Sequence, residues 1–185
     1  EITRIFATDV SMLSRISIPR PNETRTLIQR GFLISCLVII LDQASKYWIV
    51  HHLMASPRII EVTPFFNVVM VWNKGASFGL FSSSWPWAQF FLGGLALVIC
   101  VVLAVWLRNV KTHWLAASLG LLIGGALGNA IDRVVYQAVA DFLDFHVAGY
   151  HWPSFNCADI AITVGVIMLL FDCLITDRRN NKLKG

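Results

Sequence analysis

Three acidic residues, Asp132, Asp141 and Asp159, have the type and placement to form a catalytic pair of carboxylates. Two carboxylates held close together share one proton, because both cannot ionise easily. One of them can then act as a general base on water while the other, protonated, polarises a carbonyl, as in aspartic proteases. Asp144 is less attractive, since it could merely cap an element or face water. The residues alone leave open which two of the three form the pair.

Two other kinds of catalytic centre match the sequence less well. Residues 75–79 (GASFG) fit the G-x-S-x-G signature, but that motif needs a strand–turn–helix in an α/β sheet, and Ser77 follows a turn between apolar stretches instead. The histidines lack the spacing of a metal site, and the four cysteines form no C-x-x-C pair. We therefore expect neither a serine nucleophile nor a metal, and no cofactor.

Further polar residues lie inside or at the ends of apolar stretches. Asp42 and Lys46 are four residues apart, so they share one helix face and are expected to pair inside the protein, because either charge alone is costly in hydrocarbon. A neutralised pair that only orients helices fits this spacing about as well as a chemical role. The remaining residues of this kind are Asn129, Asp132, Arg133, Asn156 and Asp159.

The composition indicates that these residues are carried by a membrane protein. Hydrophobic residues make up 56% of the 185 residues, and charged residues make up 14%, against about 25% in soluble domains. A membrane-spanning helix needs about 20 mainly apolar residues. The predicted fold class is therefore an all-α transmembrane four-helix bundle, with spans at about 31–50, 87–107, 114–131 and 158–176.

The placement of Lys and Arg predicts the orientation of the bundle. Eleven of the fifteen basic residues lie before the first span, in the 108–113 loop or after the fourth span. By the positive-inside rule both termini are then cytoplasmic, and segments 51–86 and 132–157 lie outside. We expect no nucleic-acid partner. The predicted organisation is a basic cytoplasmic tail over 1–30, a four-span domain over 31–176 and a basic cytoplasmic tail over 177–185.

The first 30 residues are polar and Arg-rich, which argues against a cleaved secretory signal peptide. They are also rich in Ser and Thr and poor in acids, so an organellar transit peptide is a minority interpretation. We interpret them as a flexible basic tail.

The two outer segments are long enough to be functional. Residues 59–81 are rich in β-branched and aromatic residues and predict a small extracytoplasmic β-rich segment, whereas 132–157 predicts a periplasmic loop or helix. Gly120, Gly124 and Gly128 have the four-residue spacing that lets two helices pack closely.

The predicted topology brings the polar residues of three spans and one loop to the same outer depth. Such a cluster in a membrane protein indicates a functional site. A small four-helix transporter or channel is the alternative, with Asp42, Lys46 and Asp159 as an ion or proton path. Against it, the inner halves of the second and fourth spans are almost purely apolar, apart from Asp172.

With these motifs the sequence resembles lipoprotein signal peptidase (signal peptidase II), the family of bacterial membrane aspartyl proteases. The resemblance covers about residues 31–176 and rests on motifs that occur in order. Ser77 replaces the more usual second Ala of the family's N-x-G-A-A, a mild departure. The motifs are LDQASK at 41–46, NKGASFG at 73–79, GGALGNAIDR at 124–133, VADFLDF at 139–145 and FNCADIAI at 155–162.

The resemblance implies roles for individual residues. Asp141 and Asp159 match the family's catalytic pair, which makes Asp132 a supporting residue. The other supporting or substrate-binding positions are Asp42, Lys46, Asn73, Gly75, Asn129, Arg133 and Asn156.

The resemblance also implies a reaction and a location. The expected activity is cleavage of prolipoproteins just before the diacylglyceryl-modified cysteine of the lipobox, without a metal. The expected partners are diacylglyceryl-modified prolipoproteins and membrane lipids, and the expected inhibitor is globomycin. The expected location is the bacterial inner membrane, with the active site toward the outer leaflet.

Overall fold

Four helices form the framework of the protein. The computed structural model describes residues 21–56, 58–75 and 87–182, with side chains over 22–56, 58–75 and 87–175. Within these ranges four helices are long and apolar enough to cross a membrane, as predicted from the sequence. They are α1 (Pro21–Trp48), which a π-helical turn (Ile49–Leu53) continues, α2 (Ala88–Leu107), α3 (His113–Tyr136) and α4 (Cys157–Lys182).

Helix α3 lies at the centre of the bundle and packs against each of the other three helices. Just over half of its apolar stretch is buried, 56% against 17% for α2. The large side chains of α2, such as Val98 and Val101, are exposed and therefore free to contact lipid. Thr112 caps α3 by accepting a hydrogen bond from the backbone N–H of Leu115 at 3.1 Å.

Glycines on one face of α3 let α1 approach closely. A Cβ at Gly120 would lie 2.5 Å from the backbone oxygen of Gly31, and one at Gly124 would lie 2.8 Å from that of Ser35. A Cβ at Gly128 would lie 2.6 Å from an oxygen of Asp42. The close-packing role predicted for these glycines is therefore confirmed, and the last of them brings α3 against a charged residue.

Gly120→Ala is expected to destabilise the bundle by about 1–3 kcal/mol, because the new methyl group meets backbone rather than a movable side chain. Gly94→Ala in α2 is the matched control, since no atom lies within 4 Å of the added Cβ there. The measurement is the thermal unfolding midpoint in detergent. Equal midpoints for the two variants would contradict the close approach.

A small antiparallel sheet follows the order β1-β2-β3-β4. A two-residue turn joins β3 to β4 through Ala148 and Gly149, both with positive φ (50° and 81°), as the tightest hairpins require. The strands are β1 (Ile60–Thr63), β2 (Phe66–Asn73), β3 (Val139–Val147) and β4 (Tyr150–His151).

A β-bulge in β2 sets which side chains face the middle of β3. Val68 pairs with Leu143 and Val71 pairs with Asp141, so three steps along β2 oppose two along β3. The extra residue shifts the alternation and puts Asn73, rather than Trp72, on the face of Asp141.

Several predicted boundaries differ from the observed ones. The expected loop or helix over 132–157 is instead the end of α3 followed by β3 and β4, because α3 continues to Tyr136 and two acids interrupt the apolar pattern of β3. Helix α1 begins at Pro21 rather than at residue 31, so the last ten residues assigned to the tail are helical. Pro and an early acid favour a helix start at this point, which a search for apolar stretches does not detect.

The ends of other predicted segments also change. In the segment predicted as β-rich, 59–81, the strands end at Asn73, and residues 76–86 lie outside the described part. Helix α4 extends to Lys182, beyond the predicted span. Residues 1–20 and 183–185, which the sequence assigned to the tails, also lie outside the described part.

Candidate active site

Asp141 and Asp159 line one cavity of about 680 Å³. Asp141 lies in the middle of β3 and is 2% exposed, while Asp159 lies in the first turn of α4. Apolar residues of α4, among them Ile160 and Val164, line the same cavity. The cavity therefore combines two carboxylates with an apolar wall from a membrane-spanning helix.

Each oxygen of the two carboxylates accepts one N–H. Asp141 accepts from the side-chain amides of Asn156 at 2.7 Å and Asn73 at 3.0 Å. Asp159 accepts from the side-chain amide of Asn129 at 2.8 Å and from the backbone N–H of Asn156 at 3.1 Å. A carboxylate oxygen has capacity for a second hydrogen bond, so both groups can still bind water or substrate.

The local sequence of FNCAD accounts for the position of Asp159. Asn156 precedes the first residue of α4, and its side-chain oxygen accepts the backbone N–H of Asp159 at 3.0 Å. Asp159 in turn accepts the backbone N–H of Asn156, which makes a reciprocal capping box. The helix start thus fixes the backbone and the carboxylate of Asp159 together.

Asn129 joins the two carboxylates to a buried cation. Its side-chain oxygen accepts from the ammonium of Lys46 at 3.0 Å and from the amide of Asn156 at 3.1 Å. An amide oxygen that accepts two donors must point toward them, so the amide nitrogen of Asn129 is directed to Asp159. Lys46 therefore fixes the orientation of a group that contacts the candidate catalytic pair.

The predicted ion pair of Asp42 and Lys46 is confirmed and is larger than expected. The Lys46 ammonium lies 2.8 Å from an oxygen of Asp42 and 2.8 Å from an oxygen of Asp132, with all three side chains at most 2% exposed. Backbone N–H groups complete the cluster, from Ala158 to Asp42 at 2.9 Å and from Ala140 to Asp132 at 3.1 Å. Asp132 does not line the cavity, so among the residues that the structure describes Asp141 and Asp159 are its carboxylates.

Two further predicted residues line the cavity. Arg133 donates from Nη1 to the backbone oxygen of Asn129 at 3.0 Å, and its buried Nε has no hydrogen-bond partner among the described residues. Gly75 donates its backbone N–H to the side-chain oxygen of Asn73 at 3.1 Å. Asn73 thereby presents its amide nitrogen to Asp141, and all ten predicted site residues belong to one connected region.

Burial and charge act together on Asp141. Burial, and secondly the negative charge of Asp159, raise the pKa of Asp141 from its ordinary 3.8 to about 6, although hydrogen bonds from Asn73 and Asn156 oppose the rise. A carboxyl group with this pKa holds a proton more readily than an exposed one. It can therefore serve as the proton donor of a pair.

Sequence reasoning missed two parts of the site region. Gln43 donates to Asp132 at 2.9 Å and to the backbone oxygen of Gly128 at 3.2 Å, which ties α1 to α3. Its position beside Asp42 in the first span was the available signal. Asp144 is 4% exposed and contacts Asn67 and His151 rather than a helix end.

Ser77 lies outside the described residues. Within the described ranges, no three His, Cys, Asp or Glu side chains come together in a way that could hold a metal ion.

Comparisons with known proteins agree with one another. The family model described as signal peptidase (SPase) II matches residues 34–175. A lipoprotein signal peptidase of Rhodopseudomonas palustris is 44% identical over 155 residues, which cover 81% of this chain and 94% of the relative. One from Aeromonas hydrophila is 41% identical over 154 residues (82% and 92%), and one from Burkholderia thailandensis is 46% identical over 143 residues (75% and 84%).

Solved structures give the same result for the fold. A bacterial membrane enzyme solved at 2.3 Å resolution by the in meso method is 34% identical, with a TM-score of 0.69 over 81% of this chain and 90% of that one. A second such structure, at 1.9 Å, is 34% identical with a TM-score of 0.66, over 78% and 92%.

Proposed function

This chain belongs to the signal peptidase II family, and we propose that Asp141 and Asp159 are its catalytic carboxylates. It is a membrane signal peptidase that removes signal peptides from prolipoproteins. One observation carries the proposal: both carboxylates line a single cavity, and Asn129 and Asn156 connect them by hydrogen bonds. The family favours this activity over the small transporter or channel that the sequence also allowed.

In the proposed mechanism Asp141 and Asp159 share one proton. The ionised carboxylate takes a proton from a water molecule, and that water attacks the scissile carbonyl. The protonated carboxyl group donates its proton to the carbonyl oxygen, which relieves the negative charge that develops there. When the intermediate collapses, the C–N bond breaks and the amine leaves with the proton that the pair took from water. One hydroxyl of the intermediate returns its proton to the pair as the carbonyl forms again, which restores the shared proton. The amide donors of Asn73, Asn129 and Asn156 keep both carboxylates in place throughout.

The cavity suits a substrate that approaches from lipid. Its α4 wall includes Ile160, Ile162 and Val164, and α4 belongs to the membrane-spanning part. We infer that the substrate enters sideways from the outer leaflet and that cleavage takes place just before the diacylglyceryl-modified cysteine. In this arrangement membrane lipids and diacylglyceryl-modified prolipoproteins are the partners, and both chain termini are cytoplasmic at the bacterial inner membrane.

The pKa of Asp141 predicts a pH dependence. Below about pH 6 Asp141 retains its proton, and above it the pair loses the shared proton, so kcat/KM should fall on the alkaline side with an apparent pKa near 6. The alkaline fall of kcat should occur at a higher pH than that of kcat/KM, because bound substrate displaces water from the cavity and raises the pKa of Asp141 further. The measurement is a pH profile of both constants between pH 4 and 9. A flat kcat/KM from pH 5 to 8 would contradict the assignment.

The direct experiment uses a fluorescent lipopeptide that carries a lipobox with a diacylglyceryl-modified cysteine, incubated with the purified enzyme in detergent. We expect cleavage before the modified cysteine and inhibition by globomycin. Because the proposed mechanism uses carboxylates and water, chelators and serine-directed reagents should leave the rate unchanged. Loss of activity with either reagent would favour a metal or serine mechanism instead.

A further inference from the structure

A second cavity, of about 740 Å³, lies beside the catalytic one. All of its lining residues belong to the sheet or to the segments that flank it, so it opens on the extramembrane part of the protein. They include Arg58, Val69, Asp144 and His151.

The two cavities share a wall. Trp152, Pro153 and Ser154 connect β4 to α4 and line both of them. Asp141 lines the first cavity and Asp144 the second. These residues are three apart in a strand, so they point to opposite faces and lie about 10 Å apart along it. A peptide held at Asp141 must pass the shared wall, so it needs at least about three extended residues to reach the second cavity.

The position of the second cavity distinguishes the two ends of a substrate. The catalytic cavity has an apolar wall from α4, which suits the lipid chains and the membrane-embedded signal peptide. The polypeptide that follows the modified cysteine must instead leave toward water. We propose that the second cavity is the binding subsite for these first residues of the mature lipoprotein, an inference that rests on the proposed function.

Charges at the two ends of the subsite indicate which residues it favours. Asp144 and His151 lie on β3 and β4, at the end near the shared wall, with an Nδ1–carboxylate distance of 2.9 Å. Arg58 lies at the other end, just before β1. Two other titratable groups lie beside Asp144. His151 is half-exposed, and the ring of His146 stacks on the ring of His151.

Asp144 is ionised in this setting. Burial would raise the pKa of Asp144, but hydrogen bonds from His151 and Asn67 outweigh that effect and lower it below its ordinary value. A carboxylate near the catalytic end favours basic residues early in the mature segment. A guanidinium at the far end favours acidic residues later.

The reach of the subsite follows from the spacing of the strands. From β1 to β4 the sheet has three inter-strand gaps of about 4.8 Å, so the cavity spans about 14 Å, or about four extended residues. Together with the distance from Asp141, this covers roughly the first seven residues from the modified cysteine.

The test compares two lipopeptides of identical composition. One has lysines at the third and fourth residues and glutamates at the sixth and seventh, counted from the modified cysteine, and the other has the reverse order. We expect the wild-type enzyme to cleave the basic-first peptide with about a two- to fivefold higher kcat/KM. In Arg58→Glu this ratio should fall to about one or invert. Arg25→Glu, the same change on an exposed residue of α1, should keep the wild-type ratio.

A second variant tests whether the substrate occupies the second cavity, without changing any charge. Val69→Trp fills the cavity. The wild-type enzyme should prefer a lipopeptide with seven mature residues over one with two, because only the longer peptide reaches the cavity. In Val69→Trp this preference, measured as the ratio of the two kcat/KM values, should fall about fivefold. Val62→Trp, on the exposed part of β1 and outside the lining, should leave this ratio unchanged.

The outcomes separate the two proposals. Equal cleavage of both charge orders by the wild-type enzyme, or an Arg58→Glu ratio equal to that of the wild type, would overturn the subsite. So would a Val69→Trp length ratio equal to that of Val62→Trp. Failure of the wild-type enzyme to cleave any of these peptides would overturn the proposed function, and the subsite with it.

Discussion

Asp141→Asn and Asp159→Asn should each lower kcat for prolipoprotein cleavage by about a thousandfold or more. An amide cannot take the proton from water, and it cannot hold the proton that the pair shares. Both variants should still fold, because an amide can keep part of the hydrogen bonding with Asn73, Asn129 and Asn156. The rates are measured on purified protein in detergent, with the unfolding midpoint as a check on the fold.

Two other Asp→Asn substitutions show whether the loss of activity comes from the catalytic pair or from the removal of any negative charge. Asp172→Asn, toward the far end of α4 from the cavity, should retain the wild-type rate. Asp132→Asn should reduce stability or activity less sharply than the two catalytic variants, because Asp132 contacts Lys46 rather than the cavity. The opposite ranking, with Asp132→Asn inactive and Asp141→Asn active, would move the pair to Asp132 and Asp159.

Lys46→Met should destabilise the protein by about 3–5 kcal/mol. Without the ammonium, Asp42 and Asp132 are left buried and without their cation, a change that costs far more than the loss of an exposed pair. Methionine keeps much of the volume of lysine, so the change isolates the charge. The expected result is a large drop in the unfolding midpoint in detergent.

The role of Lys46 in orienting Asn129 adds a second effect. Without that donor the Asn129 amide loses one of the two contacts that direct its nitrogen to Asp159, so activity should fall even at temperatures where the variant is folded. Lys111→Met, in the exposed loop between α2 and α3, is the control and should change neither property. An unfolding midpoint for Lys46→Met within a degree of that of Lys111→Met would contradict the buried cluster.

The features that depend on short-range spacing could be predicted from the sequence. The four helices follow from the length of the apolar stretches, and the pairing of Asp42 with Lys46 follows from their separation of four residues. The glycines of α3 also lie where their spacing predicted a close contact. These features are local because one helix turn fixes the neighbours of each side chain.

Features that depend on tertiary packing could not be predicted in the same way. The sequence of β3 has buried acids at Asp141 and Asp144, so its pattern resembles a loop more than a strand. The bulge in β2 that turns Asn73 toward Asp141 leaves no signal in the composition. The contact of Lys46 with Asp132 joins residues that are distant in the chain, and it exists because Gly128 lets α1 and α3 approach.

In the proposed mechanism Asp141 and Asp159 act as one catalytic unit, and the double variant Asp141→Asn/Asp159→Asn distinguishes such a unit from two independent groups. Groups that act as a unit are not additive, because removing either one already abolishes the shared function. We predict that the double variant cleaves the lipopeptide at the same residual rate as each single variant, within a few-fold. A rate in the double variant that equals the product of the two single losses, or wild-type activity in either single variant, would contradict the claim.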